Sequence, residues 1–178
     1  RVEMPDEILL ATEVWLPEGD GPFPTVLMRT LYGRFNEETG LYIENGYATV
    51  VQSLRGIGDS EGEFDGYFSD RADGHATIEW IAEQPWSDGK VGMVGDSALG
   101  IVQYAVAEGA PQALKCLRPG TATPDRYHHV FFQGGVLRHE VNYHPLRILG
   151  MLHLFEEVKQ HRLWHAGWEE LNWLSAPE

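Results

Sequence analysis

Near the middle of the chain, Lys90-Val91-Gly92-Met93-Val94-Gly95-Asp96-Ser97-Ala98-Leu99-Gly100 joins a short strand-like run to a helical pattern through a serine between glycines. A chain that passes from strand to helix within one residue turns tightly, so its neighbours must be small, and Gly95 and Gly100 meet that need. Such a turn is a nucleophile elbow. It holds the Ser97 hydroxyl clear of the sheet, and the first N–H groups of the following helix point at the same place, where an oxyanion would be stabilised. Nucleophilic catalysis at Ser97 is the leading reading, and a small residue in a packing turn is the plain alternative.

A second serine competes with it. Gly58-Asp59-Ser60-Glu61-Gly62 matches the simple G-x-S-x-G pattern more literally. Ser60, however, leads into Gly62, Asp65, Gly66 and Asp70, a loop composition without helical period. Ser97 is followed by Ala98, Leu99, Ile101, Val102, Tyr104, Ala105 and Ala107, a buried helix ended by Gly109 and Pro111. Only Ser97 meets the strand–turn–helix requirement.

The rest of the chain alternates. A strand or hairpin is expected over Ile8 to Leu16, and strands over Pro24 to Arg29, Tyr47 to Leu54, Val91 to Gly95 and Leu114 to Leu117. Helices are expected over Glu37 to Glu44, Asp73 to Gln84 and after Ser97. This order predicts an α/β fold with a parallel sheet covered on both faces. Beyond residue 120 the chain turns aromatic and histidine-rich, with the helical period of Leu146, Leu149, Met151, Leu152, Phe155 and Val158. The expected division is 1–120 as the core and 121–178 as a partial helical cap, either a lid over the site or a bundle completing the core.

Composition removes several classes of function. A net charge of −14 disfavours binding to nucleic acid or an anionic membrane, since both need clustered Lys and Arg. No run approaches the apolar length of a membrane span. The one cysteine, Cys116, excludes an internal disulfide and is expected to be buried in the run Leu114 to Leu117. These features suit a cytoplasmic protein, although a chain that starts at Arg1 says nothing about a leader.

The spacing of His128, His129, His139 and His144 does not match a helical metal pair, so no metal or other cofactor is expected. His75 precedes Ser97, and the other histidines, with His153, His161 and His165, fall in the cap-like stretch. None has the place of a triad base. Asp59, Glu61 and Asp70 read as turn and cap residues.

Five segments stand in the order and at the spacing of a known family: Glu13-Val14-Trp15-Leu16-Pro17, Arg29-Thr30-Leu31-Tyr32-Gly33, Val51 to Phe64, Glu79 to Ser87, and Val91 to Gly100. Together they resemble the CocE/NonD hydrolases, the S15-type X-Pro dipeptidyl-peptidase group, strongly over residues 1 to about 120 and loosely beyond. The resemblance implies a serine hydrolase of esters or amides, with an α/β-hydrolase core, a helical cap and a C-terminal jelly roll. It implies that Ser97 is the acylated nucleophile, that the Ala98 N–H is one oxyanion donor and that the Tyr32 hydroxyl is the other. A half-buried loop aromatic is the plain reading of Tyr32.

Two residues depart from the family pattern. Ala98 stands where an aromatic residue is usual, and Asp96 stands where a small one is. Asp96 either burdens an anionic intermediate or points away from it. The larger departure is an absence, because the triad order Ser, acid, His places the acid and base after later strands, and this chain carries only the first half of the sheet. The expected partners are therefore a small ester or amide substrate and a C-terminal segment, or second chain, that supplies Asp and His. A homo-oligomer is compatible with this. A non-catalytic ligand-binding remnant and a purely structural unit are the other readings.

Overall fold

A computed structural model of the chain describes residues 1–34, 38–125, 128, 129 and 132–138. Residues 1–124 form one compact unit. A two-stranded hairpin opens it, β1 (Val2–Glu3) against β2 (Leu9–Leu10). The main sheet contains β3 (Thr12–Trp15), β4 (Phe23–Thr30), β5 (Ala48–Ser53), β6 (Ser87–Asp96) and β7 (Leu114–Gly120), in the spatial order β3-β5-β4-β6-β7. Between them run α1 (Glu38–Glu44), α2 (Asp70–Ala82) and α3 (Ala98–Ala107).

The sheet is mixed, which corrects the expectation of a wholly parallel one. β4, β5, β6 and β7 pair in parallel, but β3 lies antiparallel to β5. The reason is connection length. A return to a parallel start needs a crossover of a dozen or more residues, and the turn between Trp15 and Phe23 is too short for one, so β3 runs opposite to β4 and hence to β5, which lies between them. The opening strand is also broken at Ala11, so that Leu9–Leu10 serves the hairpin and Thr12–Trp15 the sheet.

Every residue of β5 is buried, as expected of a strand covered on both faces. Side chains alternate across β4. Val26 and Met28 pack with Val51 and Leu99 on one face, joined by Trp15, Tyr42 and Val94. The opposite side of β4 carries Arg29, fully buried against α2. A second cluster of Val2, Met4 and Leu10 packs with Ile8, Ala76 and Trp80, seating the opening hairpin on α2.

α2 begins three residues earlier than periodicity alone suggests. The Asp65 carboxylate accepts the N–H groups of Phe68 and Ser69, at 2.9 Å each, and the Ser69 hydroxyl, and this fixes the turn that leads into the helix. Asp70, expected as a cap, instead turns inward to Arg29. Asp59 and Glu61 are likewise ion-pair residues, to Arg34 and Arg1, rather than simple turn formers. Cys116 is exposed, not buried, because β7 pairs with β6 alone among the described residues.

Of the segment after Pro124, where periodicity predicts helix, the described residues include a hairpin of β8 (Phe132–Gln133) and β9 (Val136–Leu137). Gly134 and Gly135 turn it with φ of 63° and 83°, the left-handed pair of a type I′ turn. A Gly-Gly pair between short apolar runs is a hairpin signal that the longer helical period obscures. The expected cap positions from 139 onward lie outside the described residues.

Candidate active site

Ser97 occupies the single step between the end of β6 and the start of α3, with φ 57° and ψ −119°. A positive φ is strained for any residue with a Cβ, and such strain persists only where the surroundings hold it. Three glycines do so here. A Cβ on Gly95, whose φ is +136°, would stand 2.4 Å from the Leu99 Cβ. One on Gly100 would stand 2.6 Å from the Gly120 carbonyl oxygen and 2.7 Å from the Ala122 Cβ. The third is Gly120, at the end of β7, whose carbonyl accepts the Ser97 N–H at 2.9 Å.

The sequence points to Gly95 and Gly100 but not to Gly120, because the contact is between strands. Gln103 is a further residue that the sequence leaves as helix filler. It is fully buried and donates to the carbonyls of Gly95 at 3.2 Å and Leu99 at 2.9 Å, bracing the turn from below.

The elbow leaves the Ser97 side chain exposed. The hydroxyl of Tyr32 lies 3.2 Å from the Ser97 Oγ, in hydrogen-bonding contact. Tyr32 follows the end of β4, where its N–H donates to the Thr30 Oγ1 at 3.0 Å. Its ring is exposed rather than half-buried, so contact with Ser97 and not burial accounts for its orientation. Ala98 is buried at the first position of α3, where a helix N–H has no intrahelical acceptor. The carboxylate of Asp96 leans over Gly120, its Oδ1 occupying the space a Cβ there would take. Gly120 is the residue opposite Asp96 on the neighbouring strand.

Ser60 is placed quite differently. It is buried, and its Oγ accepts the Ala11 N–H at 2.9 Å while donating to the Ser53 carbonyl at 3.0 Å. Its hydroxyl is a strut between the strand ends. His75 bonds the Val106 carbonyl at 2.9 Å, away from the elbow, and His128 pairs with Asp125 at 2.8 Å. The backbone N–H of His128, followed by its ring, holds Asp125 below the usual carboxylate range. His139, His144, His153, His161 and His165 lie outside the described residues. Among the described residues no three His, Cys, Asp or Glu side chains gather at a point that would hold a metal. No described helix is long and apolar enough to cross a membrane.

A polar layer beneath the site also escapes a reading by periodicity. Arg29 donates from Nε to Gln52 at 2.9 Å and from Nη1 to the Asp70 carboxylate at 2.6 Å and the Asp70 carbonyl at 3.0 Å. Asp73 lies 3.8 Å from the Arg29 Nη2 and is held by Arg55 at 2.7 Å, which also grips Asp6 at 2.6 Å. Burial pushes the Asp70 carboxyl above its ordinary range against the pull of Arg29, whereas the Arg55 hydrogen bonds hold exposed Asp6 below it.

A largely parallel sheet, helices on both faces and a strained serine between β6 and α3 define an α/β-hydrolase core. Comparison with known proteins narrows this. The chain belongs to the X-Pro dipeptidyl-peptidase (S15) family, whose model matches residues 6–173. It is 39% identical over 145 residues to the cocaine esterase of Rhodococcus sp. (strain MB1 Bresler), a match covering 76% of this chain and 25% of that protein.

Among solved structures, a CocE/NonD family hydrolase from Staphylococcus aureus superposes with a TM-score of 0.78 at 27% identity, over 94% of this chain and 36% of that one. An α-amino acid ester hydrolase superposes with a TM-score of 0.61 at 28% identity, over 65% of this chain and 23% of that one. The chain therefore spans about a quarter of the length of the curated relative it matches.

Proposed function

We propose that the chain carries the nucleophile half of a serine hydrolase site acting on carboxylic esters or amides. The observation that carries this reading is the strained, exposed Ser97 with the Tyr32 hydroxyl 3.2 Å from its Oγ. In the reaction, Ser97 Oγ bonds to the substrate carbonyl carbon as its proton passes to a base. The carbonyl electron pair moves onto oxygen, where the Tyr32 hydroxyl and the Ala98 N–H donate to it. Collapse breaks the bond to the alcohol or amine, which leaves with the proton, and water then releases the acid from Ser97.

The base and its acid belong to the order Ser, acid, His, and we assign them to a further segment of the protein or to a second chain. The cocaine esterase and ester hydrolase names of the relatives support an ester, and the family's name supports an X-Pro peptide. With one cysteine the chain needs no oxidising compartment, and we propose the cytoplasm.

The test is labelling of the assembled protein with a fluorophosphonate probe, followed by peptide mapping. The adduct is expected on Ser97, abolished by Ser97→Ala and retained in Ser60→Ala. Labelling that survives Ser97→Ala refutes the nucleophile assignment. An assembled protein that neither labels nor hydrolyses p-nitrophenyl esters is a ligand-binding or structural unit.

A further inference from the structure

The Tyr32 ring is exposed, so something other than packing must hold its hydroxyl at Ser97. Two residues further along, Arg34 spends its guanidinium on three different elements. Nε donates to Glu13 of β3 at 2.9 Å, Nη1 to the Ser53 hydroxyl at the end of β5 at 2.9 Å, and Nη2 to Asp59 at 2.8 Å. Its side chain is only 19% exposed, and the hydrogen bond to Asp59, then that to Glu13, raises its pKa further. Asp59 belongs to the Gly58–Gly62 loop, the serine motif for which catalysis finds no use.

We propose that Arg34, clamped by Glu13, Ser53 and Asp59, is a positioning residue that fixes the Tyr32 loop so that the Tyr32 hydroxyl faces Ser97. This rests on the reading of Tyr32 as an oxyanion donor. The loop from Leu31 to Arg34 is held at its start by Thr30, at Tyr32's own N–H, and at its end by Arg34. Between the two anchors lies Gly33 with φ +122°, a conformation that gives the backbone no restraint of its own. Releasing Arg34 leaves the phenol tethered from one side only. Two carboxylates against one guanidinium also leave the cluster net negative, so Arg34 is not disposed to bind an anionic substrate.

The experiment measures kcat and KM for a p-nitrophenyl ester in the assembled, active protein. Its variants are Arg34→Ala, Arg34→Lys, Asp59→Asn, Tyr32→Phe and Arg34→Ala/Tyr32→Phe. A parallel readout is the 19F NMR signal of 3-fluorotyrosine at position 32, assigned by its loss in Tyr32→Phe. Arg34→Ala is expected to lower kcat about tenfold with KM within about twofold, as for a donor displaced by a fraction of an ångström. It should cost nothing further in the Tyr32→Phe background, and it should shift or broaden the position-32 resonance.

Arg34→Lys, which cannot reach three partners at once, is expected to recover only part of the loss. Asp59→Asn keeps the fold and shifts both readouts the same way by a smaller amount. An unchanged resonance in Arg34→Ala and Asp59→Asn, or a kcat loss that adds in full to that of Tyr32→Phe, overturns the clamp. A normal kcat in Tyr32→Phe sinks the oxyanion reading instead, and the resonance still decides the clamp.

Discussion

Replacing Arg29 with Met should damage the protein in a way that depends on pH. Arg29 is fully buried and supplies the hydrogen bonds to Gln52 and to the Asp70 carboxylate and carbonyl, with Asp73 3.8 Å away. Methionine fills much of the volume but leaves Asp70 without its cation, while Asp73 keeps Arg55 at 2.7 Å. Removing one partner of a buried ion pair costs about 3–5 kcal/mol, because the remaining charge stays desolvated.

The pH dependence comes from proton binding. Burial already holds the Asp70 carboxyl above its ordinary value, and the loss of Arg29 raises it further. The folded chain then binds a proton more readily than the unfolded one, so stability is greatest at low pH and is lost as pH rises through the folded-state pKa. Asp6 and Asp59 shift the other way, under the hydrogen bonds of Arg55 and Arg34. Their contribution is present above the ordinary carboxylate range and disappears only below it.

Between pH 5 and 8 those two stay ionised, leaving Asp70 to set the difference between variant and parent. Urea unfolding at both pH values, fitted with a common m-value, is the assay. The loss should exceed about 3 kcal/mol at pH 8 and be smaller at pH 5. Adding Asp70→Asn should restore part of it at pH 8. A loss below about 1 kcal/mol, or an equal loss at both pH values, refutes the buried pair as the cause.

Tyr32→Phe should lower kcat on a p-nitrophenyl ester about 100-fold with little change in KM and no loss of fold by circular dichroism, as for one oxyanion donor. Ser60→Ala removes the acceptor of the buried Ala11 N–H and should cost about 1–3 kcal/mol in urea melts, with the fluorophosphonate adduct still mapping to Ser97. Gly100→Ala places a methyl against the Gly120 carbonyl and Ala122. It should destabilise by about 1–3 kcal/mol and slow labelling of Ser97, since α3 must move off β7.

Local order was legible in the chain. The alternating strand and helix segments, the all-buried β5, the strand–turn–helix setting of Ser97 and the small residues at 95 and 100 all arise from period and steric need within a few residues. The family motifs extend this to the α/β-hydrolase core itself. What lay beyond sequence is what depends on distant residues meeting. The short turn before Phe23 reverses β3, but its pairing with β5 rather than with β4 is decided only in space.

Gly120 matters because Ser97 and Gly100 arrive beside it. Arg29, Gln52 and Thr77 interrupt apolar patterns and look like defects until the fold joins them, with Arg29 and Thr77 both donating to the Gln52 side-chain carbonyl and Asp70 accepting from Arg29. Arg34 reads as a loop residue and Tyr32 gains a role only from the family resemblance, yet the tertiary structure sets the phenol beside Ser97 and the guanidinium between Glu13, Ser53 and Asp59. Backbone preference and amphipathic period act over a turn or two, so sequence reports them directly. Charge pairing and close backbone approach act across space, and only the folded chain decides which groups meet.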